Sequence, residues 1–366
     1  MSFIPISSPD LGKLEETYLL DAYQSGWISS TGPYVERLSE FLPSLTATKY
    51  ATPVSNGTTA LHLALLAVGV KPGDEVIVPN LSFVAVVNAV LYCGAIPVLC
   101  DIEEPSLGLR LDLLENLINP RTKAIIVVHN YGFFSDVRPI MNIIGDSGIR
   151  LIEDCAEAPF LQVNGTQTGS LADISTYSFF GNKIVTSGEG GCVATNDLQL
   201  LESVNYLKNQ ANLPDKKFVF EDLGFNYRMT NLQAAVLVGQ LERIPELMSA
   251  RYKVLETYRK LLLGINGLTV LGPGNLIEMS PWIISISVQP EIRENLMDAL
   301  RRSGIDSRPF FSPHSRSKRF NGNGTFPVSE KVYEESFNLP TYNKLTTNQI
   351  EYICETLSNH ISILSK

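Results

Sequence analysis

The chain is most informative between residues 178 and 191, where it reads Ser178-Phe179-Phe180-Gly181-Asn182-Lys183-Ile184-Val185-Thr186-Ser187-Gly188-Glu189-Gly190-Gly191. One lysine stands here among aromatic and small residues, just before a glycine-rich turn. Most lysines are solvent-exposed, but the apolar neighbours of Lys183 predict a desolvated amine. Because desolvation favours the neutral amine, Lys183 is a candidate Schiff-base nucleophile.

A second stretch, Leu151-Ile152-Glu153-Asp154-Cys155-Ala156-Glu157-Ala158, predicts an apolar strand that ends in an acid. An acid fixed at a strand end suits the pyridinium nitrogen of pyridoxal phosphate, which becomes an electron sink when protonated. Asp154 and Glu153 compete for this role, and strand alternation places them on opposite sides. A cap for the following helix is the alternative role for Asp154.

A third stretch, Ser55-Asn56-Gly57-Thr58-Thr59-Ala60, opens a helix predicted over residues 58–68. The start of a helix offers free N–H groups and a favourable dipole to a phosphate. Taken alone, this stretch is an ordinary turn and helix cap. Together with Lys183 and Asp154, it predicts the phosphate cradle of a pyridoxal phosphate site.

The first half of the chain alternates apolar strands with helices. Strands are predicted over residues 75–79, 96–101, 124–129 and 150–154, and helices over 82–92, 111–118 and 137–145. Continuous apolar strands separated by helices are typical of a mostly parallel sheet covered on both faces. Ligands bind beyond the carboxyl ends of such strands, where Asp101, His129 and Asp154 stand.

The pattern changes after Gly191. Helices are predicted over residues 198–209, 231–262 with an interruption at Pro245, 291–303 and 347–364. A half-buried strand is predicted over 282–288 because apolar and polar residues alternate there, and another strand over 305–311. The sequence therefore predicts an α/β protein with a large domain, residues 1–245, and a smaller C-terminal α+β domain, residues 246–366.

Composition excludes several classes of protein. The net charge of −9 comes without a basic block, which argues against nucleic-acid binding. Five cysteines without a CxxC pair and four scattered histidines argue against disulfides and a metal site. The N-terminus lacks the features of a signal peptide, and no apolar run reaches membrane-spanning length. We expect a cytoplasmic protein.

The stretches above, together with Gly224-Phe225-Asn226-Tyr227-Arg228-Met229-Thr230-Asn231, resemble the DegT/DnrJ/EryC1/StrS family of sugar aminotransferases. Matching segments run from Trp27 to Pro340. The resemblance implies the aspartate aminotransferase-like fold (fold type I), pyridoxal 5'-phosphate as cofactor, and a homodimer with composite active sites. It also implies transfer of an amino group from glutamate to a nucleotide-linked 4-keto-6-deoxysugar, such as GDP-4-keto-6-deoxymannose, in lipopolysaccharide O-antigen biosynthesis.

The resemblance also implies roles for single residues. Lys183 is the catalytic lysine, Asp154 contacts the ring nitrogen, and Asn226 reaches the phosphate held by the neighbouring subunit. The other implied cofactor contacts are Gly57, Thr58 and Ser178 at the phosphate, Phe83 stacked on the ring, Ala156 against the ring face and Glu157 on the ring hydroxyl side. The implied substrate contacts are Trp27, Ser29, Thr31, Arg228, Arg308 and His314.

Several assignments have alternatives. Phe83 is also plausible as a core residue, His314 as a hydrogen-bonded surface histidine, and Arg228 as an interface residue. The chain departs from the family pattern at Glu157, where many relatives have glutamine, and over residues 159–162 and 214–222. In the last segment Lys216 and Lys217 are candidates to bind a diphosphate. A non-catalytic partner-binding protein on the same fold is the alternative function.

Overall fold

The computed structural model describes residues 3–213, 216, 219–320 and 324–364. Its helices are α1 (Lys13–Gln24), α2 (Pro33–Thr46), α3 (Gly57–Ala67), α4 (Ala85–Tyr92), α5 (Leu111–Leu117), α6 (Arg138–Ile144), α7 (Leu198–Lys208), α8 (Asn231–Glu242), α9 (Ile244–Leu262), α10 (Pro290–Arg302), α11 (Pro327–Glu335) and α12 (Thr347–Leu364). Its strands are β1 (Tyr50–Val54), β2 (Glu75–Pro79), β3 (Ile96–Cys100), β4 (Ile102–Glu103), β5 (Gly108–Leu109), β6 (Thr122–Val128), β7 (Arg150–Asp154), β8 (Gln162–Val163), β9 (Thr166–Gln167), β10 (Ile174–Ser178), β11 (Gly191–Thr195), β12 (Leu268–Val270), β13 (Ile284–Val288), β14 (Arg308–Pro309) and β15 (Ser336–Leu339).

The large domain is built on a seven-stranded sheet in the order β1-β11-β10-β7-β6-β2-β3. Strand β11 runs antiparallel to both of its neighbours, and the other neighbouring pairs are parallel. The predicted mostly parallel sheet is confirmed. Asp154 ends β7 beside Thr176 of β10 and Val128 of β6, so three carboxyl ends meet at one edge.

Helices cover both faces of this sheet because its strands carry apolar side chains on both sides. Along β6, Ile126 belongs to the apolar cluster that contains residues of α3 and α4. Its neighbours Ile125 and Val127 belong to the cluster with Leu114 of α5 and Ile140 of α6. The period of two along a strand therefore distributes one apolar run between two cores.

The smaller domain holds a four-stranded antiparallel sheet in the order β12-β13-β15-β14. The predicted interruption at Pro245 is confirmed, since α8 ends at Glu242 and α9 begins at Ile244. Proline suits the first turn of a helix, where its missing N–H has no partner in any case. The exact domain division after residue 245 stays a prediction. Along α9, Leu247 packs with large-domain residues and Val254 with the small-domain core.

Two strand predictions in the smaller domain were wrong in detail. Strand β13 is buried on both faces except at Ser287, although the alternating pattern predicted a half-buried strand. It lies in the middle of its sheet, and Ser285 is satisfied there by donating to Asn338 Oδ1 at 2.7 Å. The strand predicted over residues 305–311 is reduced to β14, at the sheet edge where proline is tolerated.

Nowhere in the described chain is a helix both long and apolar enough to span a bilayer.

Candidate active site

Lys183 lies in the loop after β10, with its side chain only 11% exposed. Its Nζ is 3.7 Å from Glu157 Oε1 and 4.2 Å from the centroid of the Trp282 ring. Burial lowers the pKa of Lys183, an effect opposed by the charges of Glu157 and Asp154. Burial therefore shifts Lys183 towards the neutral amine, which is the form that attacks a carbonyl carbon.

Asp154 is the buried acid on the same side as Lys183. Its Oδ1 accepts a hydrogen bond from the Ala156 N–H at 3.1 Å. Burial raises the pKa of Asp154, and the Ala156 N–H and the charge of Lys183 offset part of that effect. A buried carboxylate is stabilised by a cationic N–H partner. A pyridinium nitrogen is such a partner.

Glu153 points to the other side of β7, as strand alternation predicted. It accepts hydrogen bonds from the backbone N–H groups of Gly169 at 2.8 Å and Ala172 at 3.2 Å. Its Oε2 also lies 3.0 Å from His129 Nε2. Because these donors already satisfy the carboxylate, Glu153 serves the fold, and Asp154 is the acid that faces Lys183.

Glu157 is a direct partner of Lys183, which the sequence had not indicated. Its Oε2 accepts from the Tyr131 N–H at 2.7 Å, while Oε1 faces the amine. Burial raises the pKa of Glu157 to about 7, although Lys183 and the Tyr131 N–H both act in the opposite direction. The predicted contact between Glu157 and the ring hydroxyl side of a cofactor stays a prediction.

The Glu157→Gln variant tests the pH dependence that follows from this burial. A raised folded-state pKa means that wild-type stability is fully present below about pH 4.5 and falls as pH rises towards 7. Glutamine does not titrate, so the variant gains relative stability over that window. We expect the gain in unfolding free energy of the apo protein between pH 5 and pH 8 to reach about 3 kcal/mol. Urea unfolding at both pH values measures it, and a pH-independent difference would contradict the assignment.

The predicted phosphate cradle lies at the start of α3, and its contact with a phosphate stays a prediction. Asn56 caps the helix by accepting from the Thr59 N–H at 2.9 Å, while the N–H groups of Gly57 and Thr58 have no acceptor among the described residues. A Cβ on Gly57 would lie 2.8 Å from Ser178 Cβ, so only glycine fits beside the serine. Two free N–H groups next to a hydroxyl suit a phosphate.

These observations fit pyridoxal phosphate. Lys183 supplies the amine, Asp154 is a buried acid, and the free N–H groups at the start of α3 lie at the same edge of the sheet. Phe83 is half exposed, which makes its alternative role as a core residue wrong. The centroid of its ring lies 5.5 Å from that of the Phe311 ring. A stacking contact between Phe83 and a cofactor ring, and the contact with Ala156, stay predictions.

Gly191→Ala is expected to displace the backbone at the start of α3, which Gly191 contacts directly. An added Cβ would lie 2.5 Å from the carbonyl carbon and oxygen of Asn56 and 2.9 Å from the Gly57 nitrogen. We expect a loss of about 1–3 kcal/mol in unfolding free energy and weaker inorganic phosphate binding to the apo protein. Gly274→Ala is the matched control, because its Cβ would meet nothing within 4 Å. Equal stability and phosphate affinity in the two variants would refute the expectation.

The expected substrate loop and the segment around Asn226 are joined at the start of α8. Asn231 donates from Nδ2 to the Trp27 carbonyl at 2.7 Å and from its N–H to the Ser29 carbonyl at 2.6 Å. The side chain of Asn226 accepts from Arg228 Nη2 at 2.9 Å. Trp27, Ser29 and Asn226 are exposed, as are Thr31, Arg308 and Lys216. Lys217 lies outside the described residues.

His314 is not the surface histidine that was the alternative to a substrate contact. Its ring is buried, and the ring Nε2 lies 3.0 Å from Ser82 Oγ. The backbone N–H of His314 donates to the Asn80 carbonyl at 2.8 Å. Burial lowers the pKa of His314 to about 4, so the ring is neutral at physiological pH. Contacts of His314 and of the exposed residues with a substrate stay predictions.

Comparison with known proteins agrees with this geometry. A model of the DegT/DnrJ/EryC1/StrS aminotransferase family matches residues 9–358. The chain belongs to this family. It is a pyridoxal-phosphate-dependent sugar aminotransferase of fold type I.

Among curated relatives, GDP-perosamine synthase from Vibrio cholerae is 40% identical over 99% of this chain and 100% of its own length. GDP-perosamine synthase from Escherichia coli O157:H7 is 37% identical with the same coverage. Among solved structures, the aminotransferase TlmJ from Streptoalloteichus hindustanus has a TM-score of 0.94 at 27% identity, covering 99% of this chain and 100% of its own. The putative sugar aminotransferase Spr1654 from Streptococcus pneumoniae, in its PMP form, reaches 0.92 at 26% identity, covering 100% of both chains.

Sequence reasoning missed Tyr131 and Trp282. Tyr131 follows the carboxyl end of β6 after His129 and Asn130, and that strand end was the available signal for it. Its backbone lies in the left-handed region, with φ 55°. Trp282 comes from the smaller domain, and its place beside Lys183 has no local sequence signal.

Proposed function

We propose that the protein transfers the amino group of glutamate to the keto carbon of GDP-4-keto-6-deoxymannose, giving GDP-perosamine. Support comes from the buried Lys183, which faces Asp154 and Glu157 in a chain 40% identical to a GDP-perosamine synthase. A non-catalytic protein would not need a buried amine with a lowered pKa beside a buried acid and the free N–H groups of a helix start. We therefore set aside the partner-binding alternative.

The residues divide the work of the reaction. When bound, pyridoxal phosphate supplies an electrophilic carbon for the amine and an electron sink for the carbanion. The cradle of Gly57, Thr58 and Ser178 would hold its phosphate. Asp154 would keep the ring nitrogen protonated and oriented, and Lys183 Nζ would move the proton at the reacting carbon.

Glu157 would hold or release a proton beside that amine. Its carboxyl shares a buried pocket with Lys183, where burial favours the neutral form of both groups. A proton lost by the lysine therefore has an acceptor within 3.7 Å. Because both side chains are almost entirely shielded from solvent, bulk water has little access to the proton-transfer step.

A homodimer with composite sites is part of the proposal. The segment before Asn226 exposes apolar side chains, with Phe220 at 55% and Leu223 at 80% exposure, and Trp27 is 54% exposed on the loop that Asn231 holds. Exposed apolar side chains on a soluble protein favour a partner interface. Asn226 would reach across that interface to the neighbouring cradle, and Arg228, which donates to it, would fix its amide.

Subunit mixing tests the composite site. In a mixed dimer of Lys183→Ala and Asn226→Asp chains, one site would combine an intact lysine with an intact asparagine from across the interface. We expect each parent to be nearly inactive, because Asn226→Asp puts a negative charge beside the phosphate. Equal mixing should recover about a quarter of wild-type activity, from half the dimers with one good site each. With subunit exchange verified by mass spectrometry, activity no higher than the sum of the parents would reject donation across the interface.

We further propose a cytoplasmic location and a role in O-antigen biosynthesis. All five cysteines are free and buried, as suits a reducing compartment. GDP-perosamine as the product would serve as an activated building block for a polysaccharide, because its GDP group is the leaving group.

Isotope transfer tests the substrate assignment. The protein, loaded with pyridoxal phosphate, is given ¹⁵N-glutamate and a panel of GDP-, UDP- and dTDP-linked 4-keto-6-deoxysugars, and the amino sugars are identified by mass spectrometry. We expect ¹⁵N in the product of the GDP-linked mannose derivative. Labelling of another sugar alone would overturn the choice of acceptor. No colour after loading and no labelled product would overturn amino transfer itself.

A further inference from the structure

Trp282 of the smaller domain contacts two consecutive residues, Asn182 and Lys183, in the loop after β10 (the lysine loop). Trp282 is buried just before β13, and its Nε1–H donates to the Asn182 carbonyl at 3.0 Å. The face of the same indole lies 4.2 Å from Lys183 Nζ. The main chain before the lysine and the amine at its end are therefore fixed by one rigid ring.

Arg251 anchors the backbone that carries this ring. Its Nη1 donates to the carbonyls of Trp282 at 2.8 Å and Thr341 at 2.7 Å, and its Nε donates to Asn343 Oδ1 at 2.6 Å. The guanidinium is fully buried and forms no ion pair with a described carboxylate. Burial of this charge is unfavourable, and the charge of Asp10 offsets only part of that effect. The hydrogen bonds of Arg251 hold the main chain at Trp282 and Thr341 in place.

We propose that Trp282 is the residue through which the smaller domain positions Lys183 and sets its protonation. The inference rests on the proposed role of Lys183 and extends it to a second domain. An aromatic face stabilises a nearby ammonium, tryptophan more than phenylalanine. The indole thus retains the proton on Lys183 against the effect of burial, and the hydrogen bond to Asn182 keeps the amine over the ring.

Other groups also face this amine. The charges of the Glu157 and Asp154 carboxyls, from the large domain, act on it, and the Tyr131 ring stacks on the indole with 6.2 Å between the ring centroids. These groups stay unchanged in Trp282 variants. A change in Lys183 protonation then reports on the indole.

The test measures Lys183 in the apo protein, without cofactor or substrate. The variants are Trp282→Leu, which keeps an apolar side chain but has no aromatic face, and Trp282→Phe, which keeps a weaker face and has no N–H. Acetic anhydride labelling over a pH series, read by mass spectrometry of the peptide containing Lys183, gives the pKa of the amine. We expect it to fall by about one unit in the leucine variant and by less in the phenylalanine variant.

Trp27→Phe is the matched control, since the chain has only two tryptophans. The pKa of Lys183 should not change in Trp27→Phe. The fluorescence of Trp282, the one tryptophan left in that variant, should then change as Lys183 titrates. An unchanged or raised Lys183 pKa in Trp282→Leu would overturn the inference. If that variant does not fold, the phenylalanine variant decides by the same criterion. Neither result depends on amino transfer, so a failure here is distinct from a failure of the proposed function.

Discussion

Lys183→Ala is expected to lose amino transfer by at least about 10⁴-fold while the protein stays folded. The substitution removes the Lys183 amine, which is both the nucleophile and the group that carries the proton. It should not lower the unfolding free energy, because burial already disfavours the charged amine at this position. Rates of each half-reaction and urea unfolding of the same sample measure the two effects.

Two further variants test whether activity needs the amine of Lys183 or only a positive charge at this position. Lys183→Arg keeps a cation of similar reach but has no amine that loses its proton near neutral pH, so it should be as inactive as the alanine variant. Lys13→Ala is the surface control, since Lys13 is 82% exposed and, among the residues that the structure describes, forms an ion pair only with Glu16. Near-normal turnover in Lys183→Ala would rule out the catalytic assignment.

The parts of this site that lie within one strand or one loop were predictable from the sequence. Glu153 and Asp154 were separated correctly because neighbouring residues of a strand point to opposite faces. The helix start at Gly57 was predictable because its cap and its glycine are local signals. The strand boundaries at β2 and β7 followed from short apolar runs with polar neighbours.

The parts that needed distant segments were not predictable in this way. Ser285 sits at a polar position of an alternating strand, a pattern that gave no sign that Asn338 would satisfy its hydroxyl inside the core. The contact of Trp282 with the lysine loop joins positions 100 residues apart. Glu157 was expected beside a cofactor, but its pairing with Lys183 and the Tyr131 N–H depends on how three loops meet at the sheet edge.

Asp154→Asn is expected to slow both half-reactions by about 10³-fold, with a smaller loss of cofactor affinity. Asparagine keeps the shape and still accepts from the Ala156 N–H. It has no charge to hold a proton on the ring nitrogen, so the electron sink is weakened, whereas the predicted phosphate cradle is untouched. Stopped-flow absorbance of the cofactor measures the half-reactions, and equilibrium titration measures the affinity.

Glu153→Gln is the matched comparison for Asp154→Asn. The two acids are adjacent in β7, but Glu153 lies against His129 and two backbone N–H groups, whereas Asp154 faces Lys183. Burial raises the pKa of Asp154, so its charge costs stability above the unfolded pKa, and the asparagine variant should be at least as stable as wild type at pH 8. Glu153 accepts two backbone N–H groups and lies against His129, so its amide variant should lose about 1–3 kcal/mol of unfolding free energy. The half-reactions of Glu153→Gln should stay close to wild type. If Asp154→Asn instead kept normal rates and Glu153→Gln lost them, the acid that serves the ring nitrogen would be Glu153.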